Sequence, residues 1–149
     1  GYGIIEVSGG AQRALNAGVL RTDVDRPLAE RLAELQRDID GHLDDHLVDA
    51  AAIEQVFVNR NRATAMAVAR ASGVIMAALA QRSIPVSEYS PSQMKQAITG
   101  SGAADKAQVA AVVAMRLRVD GVAGPADVAD ALGIALCHTQ YATFAGLTP

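Results

Sequence analysis

Apolar and polar positions change their period several times along this chain, and each change marks an element. Tyr2–Val7 and Gly18–Thr22 have the short apolar runs of strands, with Ser8-Gly9-Gly10 as a hairpin-type connection between them. From Pro27 the period lengthens. Leu28, Leu32, Leu35, Ile39 and Leu43 fall on one stripe with acids and arginines between, which predicts an amphipathic helix. Ala50–Val58 is apolar with little alternation, as in a strand covered on both faces. Ala63–Ala80 is apolar nearly all round, so a helix there belongs either at the centre of a core or in a subunit interface. Pro85–Tyr89 predicts a short strand, and Ser90-Pro91 caps and starts a helix through Ile98. Thr99–Ala103 is a loop, Ala104–Arg118 a helix, Gly121–Gly124 a second loop, and Pro125 the first position of a last helix. This order predicts an α/β architecture, a mixed sheet with helices on both faces. No repeat, low-complexity tract or interdomain linker interrupts it, so residues 1–149 are expected to form a single domain.

Composition sharpens this in two places. Aromatic residues make up only 3% of the chain, so Ala, Val, Leu and Ile must fill the core. The single cysteine, Cys137, has no internal disulfide partner, which fits a reducing, cytoplasmic compartment. No uninterrupted apolar run approaches the ~20 residues of a membrane span, and no cationic leader precedes a hydrophobic stretch. The net charge of −3 argues weakly against a nucleic-acid partner, but the charge is unevenly placed. Residues 1–53 carry ten acids and five bases, whereas residues 54–149 carry six acids and eight bases. The bases of the second part are Arg60, Arg62, Arg70, Arg82, Lys95, Lys106, Arg116 and Arg118. A basic face of this kind suits a phosphodiester substrate.

Three of the six later acids invite chemistry. Glu54 closes the apolar run Ala50-Ala51-Ala52-Ile53, and Asp127 and Asp130 stand three apart in an apolar helical segment. Charged carboxylates beside buried aliphatic residues are costly unless a cation compensates. Residues three apart share a helix face. Such a set supplies the hard oxygen ligands that magnesium prefers, and nucleases hold two such ions about 4 Å apart. Taken singly, the aspartates also suit a helix first turn and Glu54 a strand end paired with an arginine. The loop from Thr99 to Lys106 is not a P-loop, because Asp105 precedes the lysine and Ala107 follows it. It is expected to offer backbone amides and Lys106 to a phosphate, or else to be a plain solvated helix start. Phe57, beside Arg60 and Arg62, is either core or a ring that stacks on a base. Cys137 and His138 are expected to be structural, and His42 and His46 to lie on a solvated helix face rather than at zinc.

Three segments together resemble the internal signatures of the RuvC family, bacterial Holliday-junction resolvases with an RNase H-like fold. They are Ala52-Ile-Glu-Gln-Val-Phe57, Gly102-Ala-Ala-Asp-Lys-Ala-Gln108 and Ala126-Asp-Val-Ala-Asp-Ala-Leu132, in the family's order. Gly1-Tyr2-Gly3-Ile4-Ile5 resembles the region of the first strand. The resemblance implies a five-stranded RNase H-like mixed sheet with helices on both faces. It makes Glu54, Asp127 and Asp130 three of four acidic ligands for Mg2+, with Mn2+ as a substitute and two ions per site. It makes Lys106 and Phe57 DNA contacts, to which the basic surface adds Arg60, Arg62, Lys95 and Arg118. It further implies a homodimer, with the helix at Ala63–Ala80 as a plausible interface, whose two-fold symmetry matches a four-way junction. A branch-migration motor is a further expected partner, and the bacterial nucleoid an expected location.

The expected activity is symmetric nicking of a four-way junction in recombination and repair, leaving 5′-phosphate ends, by in-line displacement. Basic residues would position phosphates rather than read sequence. The family's fourth acid lies in an Asp-Pro-Gly segment before Gly-Tyr-Gly, and this chain starts at Gly1. The segment bearing it is therefore expected to be missing, as is a tail beyond Pro149. Without it the polypeptide would be unstable and impaired. The competing reading is a junction-binding module without catalysis. A third is a nuclease for RNA or hybrid duplex.

Overall fold

The computed structural model describes residues 1–56, 62–119 and 125–144, with side chains as far as residue 142. The chain divides into two compact units, Gly1–Val19 with Tyr89–Pro149, and Leu20–Glu88.

In the first unit, β1 (Tyr2–Ser8) and β2 (Ala11–Gly18) form an antiparallel hairpin. Gly9 and Gly10 have φ of +56° and +80°, the left-handed pair that a tight two-residue hairpin turn requires. The chain thus reverses at once. The partner strand starts at Ala11 and ends at Gly18, where the sequence pattern had predicted it to begin. Ile4 pairs with Asn16 and Ile5 with Ala14, which leaves Leu15 as a bulge residue.

Three helices complete this unit. α3 (Pro91–Thr99) starts with a capping box in which Ser90 Oγ accepts from the Gln93 amide and Gln93 Oε1 accepts from the Ser90 amide. α4 (Lys106–Leu117) repeats the device with Asp105 and Gln108. α5 (Ala126–Phe144) touches β1, β2, α3 and α4. It buries Val128, Ala129, Leu132, Ile134, Leu136 and Cys137 against Val109, Val113 and Leu117 of α4 and Met94 and Ile98 of α3. Each large aliphatic side chain so covered stabilises by roughly 1.5–3 kcal/mol.

Gly3 is where β1 lets α5 come close. A Cβ there would lie 2.6 Å from Leu132 Cδ2 and 3.2 Å from the Leu132 backbone nitrogen. Gly3→Ala is therefore expected to lower stability by about 1–3 kcal/mol through overpacking, read as a lower urea midpoint. An unchanged midpoint would contradict this close approach.

In the second unit, α1 (Leu28–Asp45) packs on α2 (Arg62–Gln81). Arg82 donates to Asp40 Oδ1 at 2.6 Å and Asp44 Oδ1 at 2.9 Å, joining the end of α2 to the last turns of α1. β3 (Ala51–Glu54) pairs with β4 (Val86–Tyr89), and the Ala51 amide donates to the Pro85 carbonyl. β3 is shorter than the predicted Ala50–Val58, because the exposed polar pair Glu54-Gln55 ends the apolar run. Phe57 and Arg60 lie outside the described residues.

Among the described residues there are four strands in two separate two-stranded ladders, so the expected five-stranded sheet is not seen. Of the two readings given for α2, core or subunit interface, burial speaks against the first. Only Ala78 and Leu79 are buried, while Met66 is 56% and Val68 47% exposed, so most of this apolar helix is not core. By length and composition alone α2 is also apolar enough to cross a membrane, although a charged residue interrupts its apolar run. Arg70 near its middle would cost about 2.5–3.5 kcal/mol at a bilayer centre.

Candidate functional site

Asp127 and Asp130 both lie in the first two turns of α5, where partly positive backbone amides favour carboxylates. A Cβ at Gly1 would press on the Asp127 carbonyl group, so the start of β1 lies against the turn that carries this acid. Asp127 is exposed and Asp130 half-buried, and among the described residues none that is polar or charged is fully buried. The acids thus stand beside buried aliphatic neighbours, as the sequence suggested, but are not themselves buried, so the cost of burying a charge is not incurred. α5 instead divides along its length. Asp127 and Asp130 remain accessible, while Val128 and Ala129 between them turn into the core.

Lys106 is the first residue of α4, and its Nζ stands 3.4 Å from Asp130 Oδ2. The lysine side chain is 73% exposed and that of Asp130 33% exposed, so this ion pair contributes at most about 1 kcal/mol. It therefore orients more than it stabilises, and the ammonium stays available to a phosphate. Sequence spacing gave no hint of this pairing, since 24 positions separate the two residues.

The expected phosphate cradle in the preceding loop is not there. The amides of Ser101, Gly102, Ala103 and Asp105 donate to Thr99 Oγ1, Gln96 Oε1, Ser101 Oγ and Gln108 Oε1, and that of Ala104 to the Ser101 carbonyl. Short polar side chains at 96, 99, 101 and 108 satisfy the loop from within. What it presents outward is the Lys106 side chain.

Glu54 is exposed at the end of β3, in the second unit. Within neither unit do the described residues bring three or more His, Cys, Asp or Glu side chains together as a metal cluster. Arg62 is exposed at the first position of α2. Lys95 is half-buried on α3, and Arg118 is the exposed, left-handed C-cap of α4. The 12 residues of α4 separate Lys106 and Arg118 by roughly 18 Å, so these two bases do not share one contact point.

A family model described as "Crossover junction endodeoxyribonuclease RuvC" matches residues 1–138. The chain belongs to the RuvC family. A RuvC of Streptomyces griseus is 46% identical over 139 residues, covering 93% of this chain and 68% of the relative. One from Desulforamulus reducens is 42% identical, covering 98% of this chain and 90% of its own length. Among solved structures, Thermus thermophilus RuvC superposes with a TM-score of 0.88 at 33% identity, covering 96% of this chain and 88% of that one. T. thermophilus RuvC in complex with Holliday junction substrate gives 0.90 at 33% identity, covering 96% and 87%. The fold is thereby that of RuvC, and nothing in these likenesses favours a module that only binds.

The RuvC signature ending in Leu132 runs on into Cys137, which is buried, and His138, which is half-buried. Burial pushes the Cys137 thiol up to about 11. Burial also holds the His138 imidazole below its ordinary value of 6.5, and the Tyr89 hydroxyl lies 3.0 Å from its Nδ1. A depressed folded value means that the unfolded chain binds the proton more readily. His138 therefore costs nothing above about pH 6.5 and destabilises progressively as the pH falls below it. The urea midpoint is expected to drop between about pH 7 and pH 5.5, and to drop less in His138→Gln. Equal drops would contradict the assignment.

Proposed function

We propose that this chain is a divalent-metal-dependent endonuclease that resolves four-way DNA junctions by paired, symmetric nicks. The observation that carries the reading is the accessible pair Asp127 and Asp130 on one face of α5, with the Lys106 ammonium beside it. The RuvC relatives and the junction-bound neighbour support it.

Asp127, Asp130 and Glu54 offer only hard carboxylate oxygens, a donor set that suits Mg2+, with Mn2+ able to substitute. When bound, a pair of such ions supplies an activated water and charge stabilisation at the departing 3′-oxygen. The residues themselves do the rest. Asp127 and Asp130 would hold a cation on α5, and Asp130 also orients Lys106. Lys106 draws a backbone phosphate toward the acids, offsetting their repulsion of DNA. Lys95, Arg62 and Arg118 add phosphate contacts that set the register of the duplex arms without reading bases. The exposed apolar face of α2 suits a second copy of the chain, which would give two sites related like the two strands to be cut. A branch-migration motor as partner and a cytoplasmic, nucleoid-bound location complete the reading.

A binding panel in Ca2+ tests the substrate class. The four-way junction should bind at least about tenfold more tightly than linear duplex or RNA–DNA hybrid of the same length. Equal binding of all three, or preference for the hybrid, would replace this reading with a general RNase H-like one. Lys106→Ala should weaken junction binding and reduce the slope of log K against log salt by about 0.9, the share of one phosphate contact. An unchanged slope would remove Lys106 from the interface.

A further inference from the structure

We infer that Gln96 is a positioning residue, whose side-chain amide ties the loop between α3 and α4 and so holds Lys106 beside Asp130. The inference rests on the nuclease reading only through the role of Lys106.

Gln96 lies in the last turn of α3 and engages the loop three times. Its carbonyl accepts from the Gly100 amide at 3.0 Å, where Gly100 closes the helix in a left-handed conformation. Its Nε2 donates to the Gly100 carbonyl at 2.9 Å, and its Oε1 accepts from the Gly102 amide at 3.0 Å. One planar amide thus fixes both sides of residue 101. Thr99 reinforces the same stretch, since its Oγ1 accepts from the Ser101 amide and approaches the Lys95 and Ser101 carbonyls. From there the chain runs through buried Ala104 to Asp105, whose capping box with Gln108 starts α4.

Lys106 is the next residue. The core residues of α4 begin only at Val109, so its first turn takes its place from the loop behind it. The Lys106–Asp130 contact, at 3.4 Å and largely exposed, is too weak to set that place by itself. Gln96 touches neither acid, and its effect on the site passes through the backbone of residues 100–105.

The test is a double-mutant cycle read by single-turnover junction cleavage, beside junction binding in Ca2+. Gln96→Ala is expected to slow cleavage roughly ten- to a hundredfold, the scale of a displacement of about 1 Å at a site, and to weaken junction binding no more than Lys106→Ala does. In a Lys106→Ala background the same change should have no further effect. Gln93→Ala, which breaks the capping box at the other end of α3, should match the loss of stability without slowing cleavage. Additive losses in the cycle, parental rates in Gln96→Ala, or equal slowing by Gln93→Ala would each overturn the inference. A second arm needs no activity. The Asp130 carboxyl 13C resonance should shift on Lys106→Ala in the parent and stay unmoved by it once Gln96 is alanine. Equal shifts in both backgrounds would overturn the inference as well. If the parent cut no junction, the nuclease reading would fail while this resonance still decided the role of Gln96.

Discussion

Asp127→Asn is expected to abolish junction cleavage while leaving junction binding intact or tighter. The substitution keeps size and shape and removes one negative charge from an exposed position in the first turn of α5. Its cost to the fold is small, on the order of 0.3–1 kcal/mol for a lost acid at a helix start. The cost to a metal site is much greater. Changing an outer partner of a ligand already loses about 10–100-fold, and Asp127 is proposed as a ligand itself. DNA binding moves the other way, because repulsion of the phosphates falls. Single-turnover cleavage in Mg2+ beside binding in Ca2+ separates the effects. Loss of binding instead would mean that the acids serve structure rather than chemistry.

The largest expected stability effect is at Leu136. Its side chain is fully buried on α5, within the layer formed with Val109 and Val113 of α4. Leu136→Ala removes apolar contacts and leaves a cavity, for a loss of about 2–5 kcal/mol. Against a total of about 5–15 kcal/mol for a typical domain, that is a large share. Urea denaturation measures it. Leu47→Ala is the contrast, since Leu47 is fully exposed and should change stability by less than about 0.5 kcal/mol. Equal losses at the two positions would contradict the placement of the core.

Features that act over a few residues were legible in the sequence. Pro27 before α1, Ser90-Pro91 before α3 and Pro125 before α5 announce helix starts through fixed backbone angles and local hydrogen bonds. Gly9-Gly10 announces the hairpin turn. The strand after it was misplaced because a two-residue turn brings the chain straight back, and the bulge at Leu15 breaks the alternation that marks a strand. The apolar character of α2 was legible, but whether it lay in a core was not, since composition does not say what covers a face. Three separated signatures pointed to the RuvC family, and the family match over residues 1–138 bears that out. Within the candidate site, the shared face of Asp127 and Asp130 follows from helix geometry. The approach of Lys106 to Asp130 depends on packing between α4 and α5 across 24 positions, and spacing along the chain carries no trace of it. The bonds of Gln96 and Thr99 to the loop are local, but which side chain closes on which amide follows from the loop conformation.

The most direct measurement is cleavage of a synthetic four-way junction, labelled on each strand in turn, in Mg2+ and in Ca2+. Paired nicks at symmetric positions across the branch point in Mg2+, with binding alone in Ca2+, are the predicted result. Binding without nicking in either ion, or cutting of linear and hybrid duplexes as fast as the junction, would contradict it.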